Sequence, residues 1–357
     1  MAIKYKWLAD VLRSEIHKKL SRGIEKLPTE QTLCKTYQVS RQTVREALQL
    51  LQEEGLIEKR QGSGSYITGI LPGMERNEIA LLISSEHEYL YPEAISSIRE
   101  TLLRSGFMTK IYETANLVSK ENEILNHLLS SPTRGIIAEG CKSALPNPNV
   151  PLYRKLDAKG IPTVFLYTRY SNYEDSISVT DENAEGSALL VSHLLSKGHR
   201  NIGGIFKSDD YQGQGRYRGF VEALYRENII IGDDQICFFD SRTLAALREK
   251  QDTGFLRSMM KENFRDCTGI VCYNDEIAYW LIHELLSAGY RLPRDMAVTA
   301  FDNTYLSSHE VVSITTLSHR FGEMGTSAAE TLLRKIKGLP SISKEIPWFL
   351  ITRDSTL

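Results

Sequence analysis

The sequence predicts an α/β protein with two parts: a small winged helix-turn-helix at the N-terminus and a larger, two-lobed domain built on doubly wound parallel sheets. The chain has 357 residues, more than a single domain usually needs. Three helical patterns and a glycine-rich hairpin occupy residues 1–68, whereas apolar runs alternate with helical patterns over residues 78–357. Residues 69–77 contain two glycines and a proline and are predicted to be a linker.

Composition excludes several classes of protein. Hydrophobic residues make up 41% and charged residues 25%, as in ordinary globular proteins, so a disordered chain is not expected. No run of 18 apolar residues is present and no apolar segment follows the start, so neither a membrane span nor a secretory signal is expected. The five cysteines are an odd number without a CxxC pair, which favours reduced thiols and a cytoplasmic location.

The net charge of −2 conceals an asymmetry between the two parts. Residues 1–68 contain 12 Lys and Arg against 8 Asp and Glu, whereas the remaining residues contain 31 against 37. A basic head on an acidic body is expected where only the head meets a polyanion. The imbalance is small, so by itself it is also compatible with chance.

The head is predicted from its apolar spacing and its capping residues. An apolar stripe at helical spacing marks the first helix, and Thr29 and Ser40 are suited to cap the two helices that follow. The predicted order is a helix at 5–20, a helix from Thr29 to about Tyr37, a helix from Ser40 that ends at Gly55, and two strands at 56–60 and 65–68 around the turn of 61–64.

The third helix of the head has the composition of a DNA-reading helix. Its apolar residues repeat at i, i+4 and i+7 and face inward, which leaves Arg41, Gln42 and Arg45 on the outer face. Arginine can bind O6 and N7 of guanine with two hydrogen bonds, and the glycine-rich turn would let Gln61 approach the minor groove. In the alternative interpretation, Arg41 and Arg45 form a solvated face and pair with Glu46 or other carboxylates.

Three motifs of the head resemble the GntR family of winged-helix regulators. They are Leu27–Glu30, Val39–Leu48 with Glu54–Ile57, and Arg60–Ile67. Two residues depart from the family pattern, since Gln31 stands where Arg is common and Lys19 where a glycine usually ends the first helix. The resemblance, taken with the outer face of the third helix, gives the candidate DNA-binding residues Lys4, Gln31, Ser40, Arg41, Gln42, Thr43, Arg45, Gln61 and Gly62.

Six apolar runs mark strands in the larger domain. The alternation of strands and helices predicts parallel sheets, and the segment is long enough for two doubly wound lobes. Ligands of such folds bind at the carboxyl ends of the strands, in the crevice between the lobes. The predicted strands are 79–84, 135–138, 163–166, 202–206, 269–272 and 297–301, and helical patterns include 93–105, 185–197 and 219–227.

The loops that follow these strands are rich in carboxylates, amides, aromatic rings and a few cations. Such groups suit a polyhydroxylated ligand, because carboxylates and amides bind hydroxyls and aromatic faces stack on sugars. Asp209, Asp210, Asn274 and Asp302 each precede a helix, so a helix cap is an alternative role for each, and both roles can coexist. The candidate effector-binding residues are Glu88, Tyr89, Tyr91, Glu139, Lys142, Lys207, Asp209, Asp210, Gln212, Arg216, Asn274, Asp275 and Asp302.

The larger domain resembles the effector domain of the LacI/GalR family, which has the periplasmic-binding-protein-like fold. The motifs are 181–186, 193–202, 216–220, 274–278, 292–298 with 301–303, and 350–356. The resemblance implies that Arg216, Asn274 and Asp302 bind the effector. Tyr167 stands where many members have Asp, so the contacts at that position must differ.

A GntR head on a LacI-type body resembles the family of arabinose-responsive repressors. This implies a homodimer that binds a near-palindromic operator DNA, L-arabinose as effector, and no cofactor. The short motifs Glu139 with 142–145, 204–210 with 212–213, and 272–278 also carry this resemblance. The residues by themselves predict only a small polar ligand.

The main rival class is an enzyme, because doubly wound folds host many activities. The motifs GxGxxG, GxxxxGK[ST], HExxH and GxSxG are all missing from the sequence, which disfavours nucleotide, zinc and hydrolase chemistry. His193 and His199 are interpreted as structural rather than metal ligands. A transport protein of this fold would need a signal peptide. A regulator that answers to another sugar, or that activates, is the closer alternative.

Overall fold

The computed structural model describes residues 2–20, 26–54, 56–60, 64–67, 77–85, 91–308 and 312–357. It confirms the predicted class, with a winged helix-turn-helix followed by two α/β lobes. Within these ranges, none of the helices has the length and apolarity of a membrane-spanning segment. Several predicted features lie outside the described residues, namely Gly55, Gln61, Gly62 and most of the linker, 69–76.

In the residues that the structure describes, the head contains three helices and a two-stranded antiparallel wing. They are α1 (Ala2–Leu20), α2 (Glu30–Tyr37), α3 (Arg41–Glu53), β1 (Ile57–Arg60) and β2 (Gly64–Ile67). The first helix continues through Lys19 to Leu20.

Both predicted caps of the head are present. The hydroxyl of Thr29 accepts the N–H of Thr32 at 3.2 Å, and the hydroxyl of Ser40 accepts that of Thr43 at 3.2 Å. Each bond satisfies a backbone donor that the helix itself leaves without a partner. The apolar side chains of the three helices then share one core, formed mainly by Leu8, Leu12, Ile16, Leu33, Val44, Leu48, Leu51 and Leu56.

The N-terminal lobe is a six-stranded parallel sheet with helices on both faces. In spatial order the strands are β13 (Lys344–Ile346), β7 (Ile177–Asp181), β6 (Thr163–Leu166), β5 (Thr133–Ala138), β3 (Glu78–Ile83) and β4 (Met108–Glu113), and the helices are α4 (Tyr91–Arg104), α5 (Val118–Leu128), α6 (Val150–Ala158) and α12 (Glu323–Ile336). Side chains of β3 alternate between the faces. Ile79 and Leu81 pack with α4 and α12, and Leu82 packs with α5 and α6.

The C-terminal lobe repeats this plan with one antiparallel edge strand. In spatial order its strands are β14 (Phe349–Ile351), β12 (Thr315–Ser318), β11 (Ala297–Phe301), β10 (Gly269–Cys272), β8 (Ile202–Lys207) and β9 (Ile236–Phe239), and its helices are α7 (Asn183–Ser196), α8 (Tyr211–Arg226), α9 (Ser241–Lys250), α10 (Gly254–Glu262) and α11 (Asp275–Ser287). Only β14 runs antiparallel to its neighbour. Helices α7 and α8 cover one face, and α9 to α11 cover the other.

The chain passes between the lobes three times. The first crossing follows β7 at Asp181, the second joins β12 to α12 through His319, and the third joins β13 to β14 through Trp348. All three crossings lie close together, because His319 contacts both Asp181 and Trp348. They form the hinge on which the two lobes meet.

The six predicted strands are all present, within two residues of their predicted ends. Six further strands, β4, β7, β9, β12, β13 and β14, were not predicted. Four of them are edge strands, which need less apolar surface, and β4 accordingly has no fully buried residue. The two interior ones, β7 and β12, are rich in Ser and Thr, so they lack the apolar run that marks a buried strand.

Candidate functional site

The outer face of α3 carries the two arginines predicted to read DNA. The side chains of Arg41 and Arg45 are 71% and 56% exposed, and both donate from Nε to Oε2 of Glu30, at 3.3 and 3.2 Å. Partial burial acts to raise the pKa of Glu30, but the bonds from the two arginines outweigh it and lower that pKa. The arginines therefore pair with Glu30 on α2, whereas Glu46 accepts from Gln42 at 3.1 Å.

The other candidate residues of the head lie around this face. Lys4 and Gln31 are exposed on α1 and α2. The hydroxyls of Ser40 and Thr43 lie 2.9 Å apart, so both are engaged at the start of α3. The head thus presents two paired guanidinium groups beside a helix N-terminus, a place that favours phosphate oxygens.

A cavity of about 660 Å³ lies between the two lobes. It sits where loops leave the carboxyl ends of the strands, as expected for a doubly wound fold. Its volume is within the range of small-molecule sites, about 300–1,000 Å³. The predicted effector-binding residues that line it are Tyr91, Glu139, Lys142, Lys207, Asp210, Gln212, Arg216, Asn274 and Asp302.

Arg216, on α8, is almost fully buried and is held by several groups. Its Nε donates to Oδ1 of Asn183 at 3.1 Å, and one Nη donates to the backbone carbonyl of Tyr273. The other Nη lies 3.3 Å from Oδ1 of Asp302 and 3.7 Å from Oδ2 of Asp181. The fork of donors is therefore fixed in one orientation at the wall of the cavity.

The surroundings of Arg216 keep it charged. Burial acts to lower the pKa of Arg216, but Asp302 and the other acids nearby outweigh it and raise that pKa. Burial also raises the pKa of Asp302, even though Arg216 opposes the shift. The guanidinium lies over the rings of Phe301 and Tyr273, at 4.1 and 5.0 Å from their centres. This cluster has a high cost of desolvation, which a pairing of opposite charges offsets.

A second charged group lies at the start of α8. Nζ of Lys207 is 3.1 Å from Oδ2 of Asp210, and the hydroxyl of Tyr273 donates to the same oxygen at 2.6 Å. The other oxygen of Asp210 accepts the N–H of Gly213 and caps the helix. A Cβ at Gly213 would lie 1.9 Å from the carbonyl oxygen of Lys207, so only glycine fits here. Asp210 is therefore both a helix cap and part of the cavity wall.

Two predicted residues, Asp209 and Asp275, do not line the cavity, and their carboxylates are bonded within the protein. Both carboxylate oxygens of Asp209 accept the N–H of Ser241. Asp275 is fully buried and accepts hydrogen bonds from Thr304 and Thr316, and its burial raises the pKa of its carboxyl to about 7. Asp275 instead ties the start of α11 to β12 and to the loop that follows β11. Glu88 and Tyr89 lie outside the described residues.

Two hydrogen bonds join the lobes at the rim of the cavity. The side-chain amide of Asn116 donates to the hydroxyl of Ser241 at 2.9 Å, and the N–H of Tyr211 donates to the hydroxyl of Ser143 at 2.9 Å. Asn116 and Lys142 adopt positive φ angles of 53° and 44°. Such backbone strain persists only where the surroundings hold it, as they do at many ligand sites. The rim bonds hold the lobes close together around the cavity.

Several residues of the site were not predicted as ligand contacts. Asp181 ends β7 and Asn183 begins α7, and both contact Arg216. Glu113 ends β4 and Asn116 follows it, and both line the cavity. Neither strand has the apolar run that reveals a strand, so the sequence did not indicate a strand end at either place. The regular spacing of βαβ units was the signal that could have located both strands.

The fold and the site define a class of protein, a DNA-binding regulator with a small-molecule site between two lobes. The model of the bacterial regulatory proteins of the gntR family matches residues 4–67, and that of the periplasmic binding protein-like domain matches residues 191–356. The solved complex of the transcriptional regulator CelR with cellobiose has a TM-score of 0.68 at 20% identity. The match covers 89% of this chain and 92% of the CelR chain. This likeness shows the fold.

Two relatives extend the match over nearly the whole chain. They are arabinose metabolism transcriptional repressors from Halalkalibacterium halodurans and Geobacillus stearothermophilus. Each is 32% identical over 94% of this chain, which spans 90% and 91% of their respective lengths. The chain belongs to the family of these repressors. It is a DNA-binding transcriptional repressor and not an enzyme.

Proposed function

We propose that this repressor controls genes of L-arabinose use, and that L-arabinose is the effector that releases it from its operator. The observation that carries the proposal is the fixed Arg216–Asp302 pair in the wall of the interlobe cavity. A guanidinium supplies donors to adjacent hydroxyls, and a carboxylate accepts from them. Asn274 and Lys142 line the same cavity. The names of the two full-length relatives support arabinose among the sugars that such a site can hold.

The DNA-binding role is assigned to α3 and the wing. Arg41 and Arg45 lie on the exposed face, where a phosphate or a guanine edge can replace Glu30 as their partner. Lys4 and Gln31 lie exposed on α1 and α2, and Gln61 and Gly62 complete the set by resemblance. We place the head at residues 1–68, the linker at 69–77 and the effector domain at 78–357. A protein with this role acts in the cytoplasm, where the operator DNA is.

Release of DNA requires that sugar and operator prefer different arrangements of the protein. We infer a homodimer, because one winged helix reads only one half-site and a near-palindromic operator offers two. Sugar binding favours the closed lobes, with the rim bonds of Asn116 and Ser143 formed. This closure changes the spacing of the two heads through the linkers. By linkage, operator DNA must weaken sugar binding by the same factor, typically about 5–150-fold.

The proposal is tested by calorimetry and by DNA binding with the purified full-length chain. A duplex selected by the protein from a random pool serves as the operator. L-arabinose should bind and weaken the operator complex, whereas D-arabinose and glucose serve as matched control sugars. Binding of another pentose or a hexose in place of L-arabinose would reassign the effector. An L-arabinose complex that leaves operator affinity unchanged would refute the proposed mechanism.

The DNA assignment has its own test in the salt dependence of operator binding. Each phosphate that the protein neutralises contributes about −0.9 to the slope of log K against log salt concentration. Because the basic excess lies in residues 1–68, deletion of these residues should abolish operator binding and leave sugar binding intact. Operator binding by the remaining body would overturn the division of roles.

A further inference from the structure

The three crossings between the lobes meet in one cluster of side chains. Nε2 of His319, on the second crossing, lies 2.8 Å from Oδ1 of Asp181, on the first. Nδ1 of His319 lies 2.9 Å from the backbone carbonyl oxygen of Pro347, on the third. The imidazole stacks on the ring of Trp348, with 3.6 Å between centres and 24° between planes. One imidazole therefore contacts every segment that connects the lobes.

The geometry around His319 requires a donor at both ring nitrogens. A carbonyl oxygen and a carboxylate oxygen can only accept, and a neutral imidazole has a single N–H. Both bonds are satisfied together only by the imidazolium. Burial acts to lower the pKa of His319, but the bonds to Asp181 and Pro347 outweigh it, and the pKa is raised. The charged form is thus the one that ties the three crossings together.

The cluster also reaches the proposed effector contact. Oδ2 of Asp181, the oxygen that His319 does not use, lies 3.7 Å from an Nη of Arg216. The guanidinium of Arg216 lies 5.7 Å from the ring centre of Trp348. Asp181 is therefore shared between His319 and Arg216. As long as His319 holds one oxygen, Arg216 keeps its shorter contact with Asp302 at 3.3 Å.

We propose that His319, in its charged form, is a positioning residue for Arg216, and that it makes sugar binding by this repressor dependent on protons. The inference rests on the proposed function and adds a second input to the same site. When His319 loses its proton, Asp181 loses the positive charge beside it, and the remaining cation, Arg216, is drawn towards Asp181 and away from Asp302. The guanidinium of Arg216, the main hydrogen-bond donor to the sugar, is then displaced, and the affinity of the protein for the sugar falls.

The direction of the pH effect follows from the surrounding charges. The acids near the imidazole are Asp181 at the end of β7, Glu182 after it and Asp302 after β11, and Arg216 on α8 is the buried cation. Glu93 and Arg320 line an adjoining cavity with His319. The pKa of His319 is raised on folding. The contribution of the charged imidazole to stability and to sugar affinity is therefore complete below the ordinary pKa of 6.5, and it is lost as the pH rises through the higher folded value. Sugar affinity and stability should both decline in that window.

The test is calorimetry with L-arabinose from pH 6 to pH 8.5, in buffers of different ionisation enthalpy. One linked proton changes the affinity by at most about tenfold per pH unit. The wild-type Kd should rise by about three- to tenfold across the range. His319→Gln retains a donor that cannot titrate, so its profile should be flat. His193→Gln, which alters a half-buried histidine bonded to Thr356, is the matched control and should follow the wild type.

The inference would be overturned if the Kd for L-arabinose depended on pH in the same way in the wild type and in His319→Gln. His319→Phe keeps the stacking on Trp348 but removes both donors, and it should bind weakly at every pH. Thermal unfolding of the sugar-free protein gives a readout that does not depend on the effector. If L-arabinose fails to bind at any pH, the proposed function fails. The role of His319 is then decided by whether wild-type stability falls with pH while that of His319→Gln stays level.

Discussion

Replacing Arg216 by Met tests the charge cluster at the centre of the cavity. Met keeps an unbranched apolar side chain among the aromatic rings and removes the guanidinium. Asp302 and Arg216 are 5% and 3% exposed, so the change leaves a buried carboxylate without its main counter-charge. Breaking a buried pair in this way costs about 3–5 kcal/mol. We expect the free energy of unfolding of the effector domain to fall by this amount at pH 8.

The loss should depend on pH in a defined direction. The pKa of Asp302 is raised by burial even in the presence of Arg216, and without Arg216 it rises further. A carboxyl whose pKa is raised on folding destabilises the protein above its ordinary pKa, so Arg216→Met should lose less stability at pH 5.5 than at pH 8. Adding Asp302→Asn removes the orphaned charge and should restore most of the stability at pH 8.

The assay is urea unfolding of the full chain at both pH values, followed by tryptophan fluorescence, since Trp280 and Trp348 report on the effector domain. A measurement of sugar binding separates the role of the Arg216–Asp302 pair in stability from its role in contacting the ligand. The double variant should be stable and yet fail to bind L-arabinose if Arg216 is a ligand contact. A cost below about 1 kcal/mol for Arg216→Met at pH 8, or no recovery in the double variant, would refute the electrostatic argument.

Three further predictions concern the recognition helix, the rim and the helix packing. Arg45→Ala should weaken operator binding by about 1–3 kcal/mol in an electrophoretic shift assay. Asn116→Ala and Ser241→Ala should each weaken sugar binding, since both remove the hydrogen bond between these two side chains. Because that bond is shared, a double-mutant cycle by calorimetry should give a coupling free energy of about 0.5–1.5 kcal/mol. Gly219→Ala should destabilise the effector domain by about 1–3 kcal/mol or more in urea unfolding, because the new Cβ would lie 2.1 Å from a backbone oxygen of α7.

Two of these predictions have a matched control variant, and each has an outcome that would contradict it. Gln49→Ala changes an exposed residue of α3 two turns from its start and should leave operator affinity near that of the wild type, so an equal loss would remove the special role of Arg45. Additive effects at Asn116 and Ser241 would show that the rim bond does not contribute to closure. Glu222→Ala is a surface change in α8 and should stay within about 0.5 kcal/mol. A Gly219 variant as stable as this control would contradict the close helix crossing.

The sequence predicted the head more completely than the site. Thr29 and Ser40 act within three residues of their own position, so their caps could be read from local spacing. The site depends on contacts between distant segments. Asp181 meets His319 across 138 residues, and Arg216 meets Asp302 across 86. No local pattern encodes such contacts.

Asp275 illustrates the limit of reasoning from loop position. It follows a strand directly beside Asn274 and has the same apparent suitability for a ligand. The two side chains point to different sides of the helix start. Asn274 lines the cavity, while Asp275 turns inward and accepts from Thr304 and Thr316. The difference is decided by the partners that β12 and the neighbouring loop present, which come from another part of the chain.

The three crossings have a consequence for the order in which the protein is synthesised. The head is complete once Ile67 has been made, but the sheet of the N-terminal lobe lacks β13 until Ile346, and that of the C-terminal lobe lacks β14 until Ile351. The ribosome therefore releases an intact reading head long before either lobe can finish its core. A nonsense mutation that removes β13 and β14 would therefore leave both lobes without an edge strand while every residue of the head is still made.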